Sequence, residues 1–123
     1  MTQPLAIVFY EKLMPGSQLV NRLQDLNYRV QAVTDAATLL SITQREMPML
    51  VLADLASKAD ITRIIADLKA DATTAHIPVI AFAEEKATAQ LAAAQTAGAA
   101  LAVSETALNS YLPQLLNQAL HIE

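Results

Sequence analysis

Pro48-Met49-Leu50-Val51-Leu52-Ala53-Asp54-Leu55 holds the reading on which the fold of this chain turns. Five apolar residues in a row behind a proline make a strand buried on both faces, as in a parallel sheet covered by helices on each side. A carboxylate at the carboxyl end of such a strand opens into the crevice where open α/β sheets place their chemistry. Asp54 is therefore the first candidate functional residue. Taken alone it could equally start the next turn, so its weight comes from the rest of the chain.

Working outward, strand and helix patterns alternate. Ala6-Ile7-Val8-Phe9 reads as a buried strand, and Pro15-Gly16-Ser17 as a loop ending in an N-cap. Leu19, Val20, Leu23 and Leu26 recur at helical spacing, with Asn27 as a left-handed cap. Arg29-Val30-Gln31-Ala32-Val33 alternates with period two, which predicts an edge strand with one polar face. Asp35 can cap a second helix through Leu39, Leu40 and Ile42 that stops before Pro48. Ile61, Ile64, Ile65 and Leu68 form a third helical stripe, ended by Asp71-Ala72-Thr73-Thr74.

Pro78-Val79-Ile80-Ala81-Phe82 is a fourth strand, and Ala87 to Ala97 an alanine-rich fourth helix closed by Gly98. Ala100-Leu101-Ala102-Val103 is a fifth strand. Leu108, Leu112, Leu115, Leu116 and Leu120 mark a fifth helix, in which Pro113 requires a first-turn position or a kink. Five βα units predict one domain over residues 1–123, an α/β fold with a single (βα)5 doubly wound parallel sheet.

Composition narrows the function. A chain of 123 residues is one domain with a sizeable core, and the absence of cysteine excludes thiol catalysis and disulfides. Net charge is −4, and the eight Lys and Arg are scattered, which argues against direct nucleic-acid binding. Leu5 to Tyr10 is too short for an export or membrane segment and lacks a basic flank, so a cytoplasmic protein with no membrane contact is expected. His76 and His121 have no partners at metal-binding spacing, and Ser17, Ser57 and Ser104 have no accompanying triad. Gly16 and Gly98 are isolated and form no phosphate loop. The chain reads as a non-enzyme.

In this order the segments resemble the response-regulator receiver domains, whose sheet has strand order 2-1-3-4-5. The resemblance spans nearly the whole chain. Pro48 to Leu55 looks like the family's phosphoacceptor strand, His76-Ile77-Pro78-Val79-Ile80-Ala81-Phe82 like its fourth strand, and Ala97-Gly98-Ala99 like the approach to its fifth. The resemblance makes Asp54 the phosphoacceptor equivalent. It also implies an Mg2+ site from two acids after the first strand, the phosphoacceptor and a carbonyl two residues beyond it. Here those positions are Tyr10 and Glu11, followed by Lys12, together with Asp54 and Ala56. Tyr10 removes one carboxylate, so only a weak or absent metal site is expected, and no cofactor.

The family's switch positions depart further. Ala83 stands where a hydroxyl is implied, Ala102 where an aromatic is implied, and Glu105 where a lysine is implied. Near about 4 Å and an effective dielectric of about 20, reversing the sign of such a neighbour moves an interaction from about −4 to about +4 kcal/mol before relaxation and screening. A compensating cation is expected among Lys12, Lys58 and Lys86, with Lys12 or Lys58 favoured. Tyr10 is expected to pack in the degenerate acidic pocket.

Two functions follow. The leading one is a signalling module of two-component type that acts by phosphorylation-independent protein–protein interaction. The alternative is a working receiver phosphorylated on Asp54 by a histidine kinase or phosphotransfer protein. Ala87 to Ser104 contains no charged residue, which directs attention to the face of helix 4, strand 5 and helix 5, with Ala89, Gln90, Ala93, Gln95, Leu101 and Tyr111 as candidate contacts for a protein partner or a homodimer.

Overall fold

The computed structural model describes residues 4–10, 13–55 and 60–120, and of residues 13–18, 36 and 120 the backbone alone. Its elements are β1 (Leu5–Phe9), α1 (Leu13–Asp25), β2 (Arg29–Val33), α2 (Ala36–Glu46), β3 (Leu50–Asp54), α3 (Ile61–Ala70), β4 (Val79–Ala83), α4 (Thr88–Ala97), β5 (Leu101–Ser104), α5 (Glu105–Ser110) and α6 (Leu112–Leu120). Every strand pairing is parallel and the order is β2-β1-β3-β4-β5. This is the flavodoxin/CheY-like α/β arrangement expected from the sequence.

Burial follows the apolar runs. β1, β3 and β4 are buried along their whole length, while β2 and β5 form the two edges. Alternate residues feed opposite cores. Ile7, Phe9, Val51 and Val79 meet Leu39, Ile65 and Leu68 beneath α2, α3 and α4. Ala6, Val8, Leu52 and Phe82 meet Leu23, Leu108 and Leu116 beneath α1, α5 and α6. Each fully buried aliphatic or aromatic side chain contributes about 1.5–3 kcal/mol.

Three details differ from the sequence reading. The helix expected after a Pro15-Gly16-Ser17 loop already begins at Leu13. Proline is tolerated in a first turn because its missing N–H has no acceptor there. The single fifth helix is two, α5 and α6, meeting at Tyr111, and Pro113 falls in the first turn of α6. Met49 precedes β3 rather than belonging to it and is 47% exposed. The expected caps at Asn27 and Gly98 do have positive φ, 70° and 120°, and Met47 joins them at 47°.

Side chains close several ends. Asp35 Oδ1 accepts from Ala37 N at 3.0 Å and starts α2, and Ser104 Oγ accepts from Ala107 N at 3.1 Å and starts α5. After α3, Asp71 Oδ1 accepts from Thr73 N at 2.9 Å and Thr73 Oγ1 at 2.7 Å, and Asp71 Oδ2 accepts from Gln44 Nε2. The Thr73 hydroxyl and amide, with Gln44, hold the Asp71 carboxyl below the usual aspartate range. Its contribution is therefore present above the unfolded aspartate value and lost as pH falls through the lower folded pKa. In a carboxyl-carbon NMR titration Asp71 is expected to titrate below a solvated aspartate, and Thr73→Ala to move it upward. An unmoved midpoint in that variant would show that Thr73 does not set the charge.

Candidate functional site

The carboxyl ends of β1, β3, β4 and β5 bring the candidate residues to one edge of the sheet. Phe9 pairs with Ala53, Asp54 with Phe82, and Ala83 with Ser104. Tyr10 thus follows β1 beside the end of β3, and Glu105 follows β5 beside the end of β4. Leu55 N donates to Phe82 O at 2.9 Å, continuing the ladder past Asp54.

Asp54 is only 1% exposed. Removing a carboxylate from water costs several kcal/mol unless charge or hydrogen bonds offset it, so this aspartate is part of the interior rather than a solvated loop residue. Ala83 is buried as well, and Ala102, paired with Ala81, is half-buried at the β5 edge. At these two positions, where the resemblance implies a hydroxyl and an aromatic, the methyl group can neither donate a hydrogen bond nor swing an aromatic ring.

Glu105 has a second local role that its sequence position concealed. β5 runs into α5 without a loop, so Glu105 is the first residue of that helix, directly after the Ser104 cap. A carboxylate in a first helical turn sits toward the positive end of the backbone dipole. Tyr10 is half-buried, packs against the α1, α5 and α6 core, and donates its backbone N–H to Val33 O at 3.0 Å. Of the three candidate lysines, Lys86 is exposed between Glu85 and Ala87. Glu11, Lys12, Ala56 and Lys58 lie outside the described residues.

Of the positions the resemblance implies for a metal, Asp54 and Tyr10 are described, the latter with a phenol in place of an acid, while Glu11 and Ala56 lie outside the described residues. No group of three His, Cys, Asp or Glu among the described residues is placed to hold a metal ion.

On the neighbouring face, α4 exposes Ala89, Gln90, Ala93 and Gln95. Gln90 Nε2 reaches back to Leu55 O at 3.4 Å, so part of its bonding capacity is directed to the end of β3 rather than outward. Leu101 is half-buried at the sheet edge, and Tyr111, at the α5–α6 break, is 58% exposed.

No protein-family model matches the sequence, and no curated protein matches it. Solved structures do resemble its fold. The BeF3-activated N-terminal receiver domain of RstA from Klebsiella pneumoniae superposes with a TM-score of 0.84 at 17% identity, over 96% of this chain and 99% of that one. The receiver domain of a sensor histidine kinase from Pseudomonas aeruginosa PAO1, solved with magnesium in its active-site cleft, gives 0.84 at 15% identity over 98% and 100%. The signal receiver domain of a modulated diguanylate cyclase from Desulfovibrio desulfuricans G20 gives 0.80 at 16% identity over 98% and 95%. The chain has the fold of two-component receiver domains. No helix among the described residues is long and apolar enough to cross a membrane.

Sequence reasoning missed Lys69 and Thr74. Lys69 Nζ donates to Ala75 O at 3.1 Å and Ile77 O at 2.7 Å, and the buried Thr74 donates its hydroxyl to Leu68 O at 2.6 Å. A lysine and a threonine flanking the end of a helical stripe were the signal available.

Proposed function

We propose that this domain signals by protein–protein contact without phosphorylation, its carboxyl-edge acid retained as structure. The observation that carries this reading is the pair of methyl groups at Ala83 and Ala102, on β4 and β5 beside a buried Asp54. A receiver converts phosphorylation into movement through a hydroxyl and an aromatic ring, and neither residue type stands here. Glu105 adds a carboxylate where the resemblance implies a cation. In this reading Lys12 or Lys58 offsets the Asp54 charge, Mg2+ affinity is weak or absent, and the domain works in the cytoplasm with no nucleic-acid or membrane partner and no enzymatic activity of its own.

The working surface is the face of α4, β5 and the α5–α6 segment, uncharged from Ala87 to Ser104, which takes a protein partner or a second copy of the chain. Small exposed side chains at Ala89 and Ala93 allow close backbone approach, and Gln95 can bond across the contact. Ala93→Glu and Gln95→Lys are expected to leave the thermal melt within about 2 °C of the parent, as surface changes do. Both should weaken self-association or partner capture, because a charge in a close-packed contact is costly to desolvate. Sedimentation and pull-down measurements on both variants check this. Parent-like assembly and capture would move the working surface elsewhere, with α1 next to be tested.

The second reading, a receiver phosphorylated on Asp54, is favoured by the position and burial of that residue alone. Phosphoryl uptake separates the two.

A further inference from the structure

The helix α4 is lightly anchored. Of its ten residues only Ala94 is fully buried, with Leu91 and Ala97 packed on the core at partial burial. The adjoining α3, by contrast, buries Ile61, Ile65 and Leu68. Side chains as small as those of α4 remove little apolar surface from water, so individual contacts at its ends carry more of its placement.

Its carboxyl end makes one such contact. Gly98 takes φ +120°, and its N–H donates to Ala94 O and Gln95 O, closing the helix. A Cβ at Gly98 would stand 2.7 Å from Lys69 Cγ and 3.3 Å from Lys69 Cβ, so the lysine stem lies directly against this turn. The far end of the same side chain is tied down by its hydrogen bonds to Ala75 O and Ile77 O. Those carbonyls belong to the α3–β4 turn, which is also closed by Ile77 N donating to Thr74 O at 2.9 Å. One residue thus touches α3, the turn before β4 and the end of α4.

We propose that Lys69 is a conformational latch: its ammonium fixes the α3–β4 turn, and its stem, braced by that anchor, seats the Gly98 end of α4. The turn lies at the amino edge of the sheet, opposite Asp54. The latch therefore gives α4 a route of control that does not pass through the degenerate carboxyl edge. Burial that pushes the Lys69 pKa down marks an ammonium partly withdrawn from water.

Amide hydrogen exchange on the intact chain, with global stability measured in parallel, tests the latch without any partner, so its outcome is separate from that of the interaction reading. Lys69→Met keeps the stem and removes the donors. Exchange is expected to rise about tenfold in both residues 72–77 and the last turn of α4, residues 94–98, with α1 and α2 unchanged. Lys69→Arg, which retains a cation with several donors, is expected to restore most of the protection. Faster exchange confined to 72–77 overturns the proposal, because the ammonium then serves its own turn only. Uniform acceleration through α1, α2 and α4 overturns it too, because Lys69 then contributes only to global stability. If Lys69→Met does not fold, Lys69→Gln is read by the same rule.

Discussion

Incubation with acetyl phosphate or phosphoramidate and Mg2+ is expected to leave the intact mass of the domain unchanged. Phosphoryl transfer depends almost wholly on positioning and on neutralising charge on the transferred group. Where the resemblance to receivers implies a metal-binding acid, a hydroxyl for a phosphoryl oxygen and a cation, this chain has Tyr10, Ala83 and Glu105. Loss of a single preorganised donor of this kind slows catalysis by about 10²–10³-fold. Three such losses at one site, even if far from additive, should leave self-phosphorylation from a small donor too slow to register as a mass shift. A mass-shifted species that disappears in Asp54→Asn would make the domain a phosphoacceptor and retire the interaction-only reading.

Gly98→Ala is expected to be among the most damaging single-methyl additions in the chain, at about 2–4 kcal/mol. Two independent terms produce this. A φ of +120° lies where residues with a Cβ are strained by about 1–3 kcal/mol. The new methyl would also meet Lys69 Cγ at 2.7 Å, a contact that shifts the stem or the helix end at a further cost of about 1 kcal/mol or more. For a domain of this size the melting temperature should fall by roughly 8–15 °C. Calorimetry on Gly98→Ala decides the matter, and a melt within about 1 °C of the parent would mean that neither strain nor collision is present. In a Lys69→Ala background the 2.7 Å collision with Cγ should vanish, while the 3.3 Å contact with Cβ and the backbone strain remain.

The sheet was legible because burial on two faces leaves a plain trace: Leu50 to Ala53 and Val79 to Phe82 admit little but a covered parallel strand. The alternation of Arg29 to Val33 likewise marked an edge, and β2 is one. Local chemistry misled where a residue has two uses. Pro15 and Gly16 break helix interiors but are accommodated in a first turn, so α1 begins earlier than they suggest. Met49 is apolar yet half in water, because residue type records a tendency to burial and not the position of a loop. At the candidate site the placement of Asp54 at a carboxyl strand end followed from the strand it ends, whereas its near-complete burial, in place of an open position in the crevice, did not. The dual role of Glu105 did not, since only the direct passage from β5 to α5 reveals a helix start. Lys69 was beyond reach for a different reason: its meaning lies in contact with Gly98, distant in sequence and adjacent only after folding.

Strand order also governs how the chain can assemble as it is synthesised. β1 is made first but ends between β2 and β3, so one of its edges stays open until residue 54 has left the ribosome. No hairpin can close that edge sooner, because every pairing is parallel and bridged by a helix. Topologies of this kind depend on non-local contacts, fold slowly for their size and leave apolar strand edges transiently bare. For β1 the vulnerable interval runs from the appearance of Leu5-Ala6-Ile7-Val8-Phe9 to that of Leu50-Val51-Leu52-Ala53, and β3 in turn keeps one apolar edge bare until Val79-Ile80-Ala81-Phe82 follows, so a chaperone has strand edges to protect through both.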